Sequence, residues 1–216
     1  MDDAVWTKLK DIDSRAGRVR SLAAEFEQQR FTAMLRKPLV SSGAVRIKGS
    51  VMRWDTQKPE PSVLWIDQKE ARVYYPAQKL LEIYPLDKRL GELAASPLPR
   101  LDVLKARFSF EQIPVAELDK SADAKQMIAL RLSPLEPSLR KYVKQVRVLL
   151  DVNSACIIRA EVTDGDDERT VLRFHHVQLD ADVGDLALKT PPGTTVSHPL
   201  EGPEAGGPPQ SRENSK

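Results

Sequence analysis

Between Ser41 and Pro85 the chain is a succession of short runs, "SSGAVRIKG", "SVMRWDT", "PSVLWID", "ARVYYP" and "KLLEIYP". Each is rich in Val, Ile, Trp or Tyr, and Gly, Pro, Asp or Gln-Lys separates one from the next. Runs this close together leave no room for crossover helices, so neighbouring strands must pair antiparallel. A meander of this kind carries an apolar face that some other element has to cover. That requirement constrains the fold more than any other feature of the sequence.

The strand signal resumes in "FSFEQI", "QMIALRLSP", "KQVRVLLDV", "CIIRAEVTD", "RTVLRFHHVQL" and "DLALKTP", with Asp151 to Ser154 and Asp164 to Glu168 as turns. The segment between the two sets, "LDKRLGELAASPLPRLDVLKARF", reads as two short helical pieces broken at Ser96 to Pro99. Residues Ala4 to Met34 carry apolar side chains at Trp6, Leu9, Ile12, Val19, Leu22, Phe26 and Met34. The spacing of Val19, Leu22 and Phe26 predicts an amphipathic helix, with Gly17 as a weak point. The fold class is therefore mainly β with helices, one large antiparallel sheet covered by a few helical pieces. With 216 residues in all, the chain has room for one full core, placed at 1–198. Pro199 to Lys216, rich in Pro, Gly and charge, is expected to be a disordered tail.

The charge pattern narrows the function. The net charge is +2 and basic residues alternate with acidic ones, as in "DKRLGELAA", which disfavours a nucleic-acid partner. Cys156 lies in an apolar run and reads as a small buried hydrophobe. His175 and His176 are neighbours in a strand and should point to opposite faces, so no metal is expected there. The acidic run Asp164, Asp166, Asp167 and Glu168 reads as a solvated hairpin turn. No phosphate loop, serine elbow or cysteine-histidine pair is present, and neither an enzyme nor a cofactor is expected. The N-terminus "MDDAVWTKLKD" is not a signal peptide. The chain is thus expected either to be cytoplasmic or to have had its leader replaced by an initiating Met.

The tryptophans pose the remaining question, because aromatics make up only 6% of the chain. By strand alternation Met52 and Trp54 share one face of their strand. Val63 and Trp65 share one face of the next, with Leu64 and Ile66 opposite. Both faces are apolar. Such a surplus serves either contact with covering helices or an apolar cavity.

These residues resemble the periplasmic lipoprotein carriers of the LolA type. "AEFEQQR" is similar to the family's Phe-x-Gln segment in the first helix, with Phe26 and Gln28. Gly43, Arg53, Trp54, Pro59, Ser62, Asp67, Tyr74 and Pro76 match its glycine strand, Arg-Trp strand, proline turn and strand-Asp-turn-strand ending in Tyr-x-Pro. "LALKTPPGTTV" is similar to its closing strand. The resemblance implies a strongly curved, incomplete β-barrel with a helical lid over an apolar cavity.

In the family that cavity takes acyl chains of a lipoprotein from an inner-membrane transporter and passes them to an outer-membrane receptor. The implied partners are those two proteins and acylated lipoproteins or other acyl ligands, the implied place is the periplasm, and the implied state is a monomer. Phe26, Met52, Trp54, Val63, Trp65 and Tyr74 are the candidate cavity or lid-contact residues. Lys48 stands where the family has a basic lid tether. Gln68 replaces the usual turn glycine, leaving Asp67 to cap the turn. Two other classes stay open: an envelope lipid or lipoprotein-binding sensor, and a lipid-processing enzyme.

Overall fold

The computed structural model describes residues 3–89 and 94–200. The tail expected from Pro199 onward falls almost entirely outside them. Helix α1, Asp3–Ala16, buries Leu9, Ile12 and Ala16 against the rest of the molecule. It ends where Gly17 N donates to Asp13 O at 2.8 Å. The helix does not continue to Met34 as the spacing predicted. Strand β1, Ser21–Phe31, follows after a short turn, and there Leu22, Ala24 and Phe26 are buried in alternation. Phe26 and Gln28 therefore stand on a strand. Three apolar residues spaced three and four apart fit a helix, but strands on both sides of β1 satisfy its backbone groups, and period two wins.

The expected meander follows as β2, Leu39–Lys48, β3, Val51–Lys58, β4, Ser62–Ile66, β5, Glu70–Tyr75, and β6, Leu80–Pro85. After the covering segment with its short helix α2, Leu101–Lys105, come β7, Phe108–Ile113, β8, Met127–Pro134, β9, Gln145–Asp151, β10, Cys156–Thr163, and β11, Arg169–Leu179. A last short strand, β12, is Thr195–Ser197. All twelve form one sheet in the order β12-β6-β5-β4-β3-β2-β1-β11-β10-β9-β8-β7. The sheet is curled and open, a half-barrel. Strand β1 holds its middle, with β2 on one flank and β11 on the other, both antiparallel.

The turns form for local reasons. Asp67 Oδ1 accepts from the backbone N of Lys69 and Glu70 at 2.7 and 2.9 Å, closing the β4–β5 turn. Asp164 Oδ1 does the same for Asp166 and Glu168 at 3.0 Å each, so the acidic run is the turn of a β10–β11 hairpin. His175 and His176 are both exposed, because the β1–β11 register shifts between Ala23 and Glu25 and His176 adopts φ 52° in the bulge. His176 Nδ1 lies 3.1 Å from Glu25 Oε2.

"DLALKTP" is not a strand. Residues 180–194 form an extended strap that crosses the convex face, fixed by Ser21 Oγ to Ala181 O at 2.6 Å, Lys48 Nζ to Gly184 O at 3.3 Å, and Arg53 Nη1 to Ala187 O at 3.0 Å. Its own Val183 and Leu186 are buried. The strap delivers β12 to the edge of β6, where it pairs parallel through Thr195 and Leu80. A coil thus makes the parallel connection for which the sequence offered no crossover helix.

The core fills the concave face. Leu9 and Ile12 of α1 and Ala94, Ala95, Leu98, Leu101 and Leu104 of the covering segment form one cluster with Met52, Ile66, Leu130, Leu150 and Ile157 of the sheet. Cys156 is fully buried beside them, and burial pushes its thiol up to about 11. On the convex face Glu161, only 3% exposed, is shared by Arg147 and Arg159. Arg147 stands directly opposite Arg131 across the β8–β9 pair, an arrangement that opposes itself until a carboxylate lies between.

Candidate functional site

Strand alternation and the pairing register decide which candidate residues meet. Trp54 pairs with Leu64 and Met52 with Ile66, and Leu64 in turn with Val73. The concave face of this half of the sheet therefore carries Phe26, Met52, Trp54, Leu64, Ile66 and Val73. Val63 pairs with Asp55 and Tyr74, and Trp65 with Arg53 and Arg72. Val63, Trp65 and Tyr74 consequently stand on the convex face and line neither cavity described below. The alternation within each strand was legible, but which face continued across the turn was not.

Trp65 lies under the Arg72 guanidinium, 5.0 Å from its centroid. Neighbouring Arg53 and Arg46 both bond Asp55, at 2.9 and 2.6 Å. Burial raises the Asp55 pKa, and the two guanidiniums more than offset it, leaving the carboxyl below its ordinary value. The strap crosses here, held by Arg53.

On the concave side Phe26, Trp54 and Phe174 form an aromatic row. Phe26 and Trp54 meet edge to face at 5.0 Å and Trp54 and Phe174 at 5.7 Å. Trp54 Nε1 points at Met52 Sδ, 2.8 Å away, which gives the buried indole a partner. Two cavities open on the concave face, and Phe26 and Trp54 of this row line the larger. Towards the β2–β3 turn lies a small cavity of about 170 Å³, bounded by Ile47, Met52, Leu86, Leu98 and Arg100. Towards the opposite end lies a cleft of about 530 Å³.

The cleft has an apolar floor of Phe26, Trp54, Leu64, Val73, Val162 and Leu172. Gln28, Arg30, Ser41, Thr56, Ser62, Asp164 and Thr170 stand among them at its walls and mouth. Its volume lies within the range of about 300–1,000 Å³ common to small-ligand sites. An apolar floor under a polar mouth suits an amphipathic molecule, with its chain inside and its polar group at the opening.

The covering segment is tied down at several points. Arg100 Nη1 and Nη2 donate to Gly49 O at 3.2 and 3.4 Å. Leu101 N donates to Asp13 Oδ1 at 3.0 Å, and Pro97 O accepts from Ile157 N at 2.8 Å. Lys48, the residue expected to tether the lid, instead holds the strap through Gly184 O. The cover's basic tether runs the other way, from Arg100 of the cover to the sheet's turn. Sequence position gave no hint of it, since any exposed arginine near "SPLPR" reads the same.

Replacing Arg100 with alanine is expected to loosen the cover without unfolding the sheet. The measurement is hydrogen exchange of residues 94–105, which should quicken about tenfold, since one charged donor to a carbonyl contributes roughly 1–2 kcal/mol. Unchanged exchange would remove Arg100 from this role.

Residues 17–189 match the family model for the outer membrane lipoprotein carrier protein LolA. The chain belongs to the LolA family. No curated protein matches it in sequence.

Among solved structures it is similar to an uncharacterized conserved protein from Thermus thermophilus, with 11% identity over 90% of this chain and 99% of that one and a TM-score of 0.50. It is also similar to a LolA superfamily protein from Nitrosomonas europaea, with 11% identity over 79% and 93% and a TM-score of 0.41. A third is the Mycobacterium tuberculosis lipoprotein LppX, with 10% identity over 85% and 99% and a TM-score of 0.45. Identities this low speak to the fold alone. Among the described residues no helix is long and apolar enough to cross a membrane.

Proposed function

We propose that this LolA-family protein is a non-enzymatic carrier working in the periplasm. It takes the acyl chains of a lipoprotein from an inner-membrane transporter, shields them in the concave face, and yields them to an outer-membrane receptor. The observation that carries the reading is the cleft of about 530 Å³ with Phe26, Trp54, Leu64, Val73 and Leu172 as its floor, beside a cover whose leucines pack on the concave face.

The energetics fit a carrier. One chain of about 16 carbons gains roughly 12 kcal/mol on full burial, and three would pass the practical ceiling of non-covalent affinity. The structure offers room for part of that gain only. Further chain must displace Leu98, Leu101 and Leu104, which are 2–5% exposed and already buried against the sheet. Each displaced leucine costs about 2 kcal/mol, and the loss offsets what the cargo gains. Binding stays reversible, and a receptor with a preformed cavity can take the cargo.

The test is native mass spectrometry of the protein mixed with a triacylated lipopeptide, for the natural chain and for Leu64→Glu. Leu64 lies on the cleft floor and is only partly buried, so the chain can fold with a carboxylate there. An uncompensated charge in contact with an acyl chain should lower capture by about tenfold or more. Capture by the variant equal to that of the natural chain, with both folded by circular dichroism, would overturn the assignment of the cleft. Failure of the natural chain to bind the lipopeptide would overturn carriage itself.

A further inference from the structure

The β1–β2 hairpin reaches beyond its neighbours. Strand β1 pairs with β11 only as far as Phe31, opposite Arg169, and β2 pairs with β3 only from Ser42, opposite Lys58. Residues 32–38 therefore lie beyond the last paired residues, and Leu39, Val40 and Ser41 pair with β1 alone, with no strand on their other flank. This projection is where apolar surface gathers. Among the described residues eight large hydrophobic side chains are exposed. Four of them are Met34 at 89%, Leu35 at 46%, Leu39 at 54% and Val40 at 52%. Scattered exposed hydrophobics need no explanation, but four within seven positions of a projecting tip do.

The charge of the tip points to what covers it. "TAMLRKPLV" contains Arg36 and Lys37 and no acidic residue. Both are exposed, and among the described residues neither has an ion-pair partner. In the β10–β11 turn Glu168 is taken by Arg30 at 2.5 Å and Asp167 by Lys144 at 2.6 Å, which leaves Asp166 as its exposed acid without an ion pair among the described residues. Apolar side chains at a tip with free cations beside them match the boundary between acyl chains and anionic headgroups.

Position adds a second, independent argument. The register puts the β3–β4, β5–β6 and β10–β11 turns and the 135–144 loop at the same end of the half-barrel as the tip. The polar mouth of the cleft, with Arg30, Ser41, Ser62, Tyr75 and Asp164, is at that end too. A fifth exposed hydrophobic, Leu135 at 52%, stands on the same rim.

We propose that this rim docks on an anionic bilayer surface, with the tip at Met34 and Leu35 entering the headgroup layer and Arg36 and Lys37 holding the lipid phosphates. The mouth of the cleft then faces the membrane from which an acyl chain enters or to which it leaves. The docking is separate from the carrier reading, although it would serve it.

The test is flotation with vesicles of phosphatidylcholine alone or with phosphatidylglycerol, using the natural chain, Met34→Ser with Leu35→Ser, and Arg36→Gln with Lys37→Gln. Exposed positions far from the core make all three expected to fold alike. The natural chain should float with phosphatidylglycerol vesicles and much less with phosphatidylcholine. The serine pair should lower binding by about tenfold or more, and the glutamine pair should bind both vesicle types equally weakly.

A natural chain that floats with neither, or variants that float as well as it does, would overturn the proposal. Loss of binding to a transporter or receptor by the serine pair, with vesicle binding unchanged, would assign the tip to a protein partner instead. Capture of triacylated lipopeptide in detergent-free solution is the control. All variants should retain it, and its loss would implicate the cleft without touching the docking result.

Discussion

Trp54→Ala is expected to cost about 3–5 kcal/mol of stability and at the same time to enlarge the space available to an acyl chain. The indole is 5% exposed, lies between Phe26 and Phe174, and forms part of the floor of the cleft of about 530 Å³. Its removal deepens the cleft floor as well as deleting the packing. Stability and capture should therefore move in opposite directions, an outcome that a tryptophan serving only as core filling would not give. Urea denaturation reads the first, and native mass spectrometry with acylated peptides of increasing chain length reads the second. A variant that loses both together would show that Trp54 supports the cleft only by holding the fold.

The second large effect is expected at Gly43, and its cause is a near approach of backbone to backbone. A side chain there would begin with a Cβ 2.0 Å from Asp55 O and 2.9 Å from Thr56 Cα, at the point where the β2–β3 register shifts. Neither atom can swing aside, since both are main chain of β3. Gly43→Val must push the strands apart and is expected to cost about 3 kcal/mol, or roughly 6–12 °C in the melting temperature.

Gly49 makes the comparison. It has φ +59° and nothing within 4 Å of an added Cβ. Gly49→Ala meets conformational strain alone and should cost about 1 kcal/mol. Thermal melts followed by circular dichroism separate the two. Equal losses would mean that β3 gives way more readily than the sheet implies.

The strands were legible because each is short, alternating and closed by a residue with its own turn chemistry, as Asp67 and Asp164 show. Phe26 was misplaced onto a helix because spacings of three and four also contain buried positions two apart, and only the partners on both flanks of β1 decide between them. The placement of Val63, Trp65 and Tyr74 turned on a different quantity. Parity across a turn depends on how many residues it consumes and on register shifts elsewhere, neither of which alternation reports. The strap was hidden because an extended segment pinned by side chains from other strands has no period of its own. Arg100 became a tether only through the place to which its covering segment returns.

The middle position of β1 also bears on the order in which the molecule can assemble. Its two neighbours come from distant parts of the chain: β2 follows at once, whereas Arg169–Leu179 comes after nine further strands. A chain emerging from a pore with its N-terminus leading can form the first meander early. One flank of β1 then presents bare amide and carbonyl groups until the second meander is complete. Closing that seam is a late, long-range event, and a chaperone that masks a single strand edge would guard the whole process.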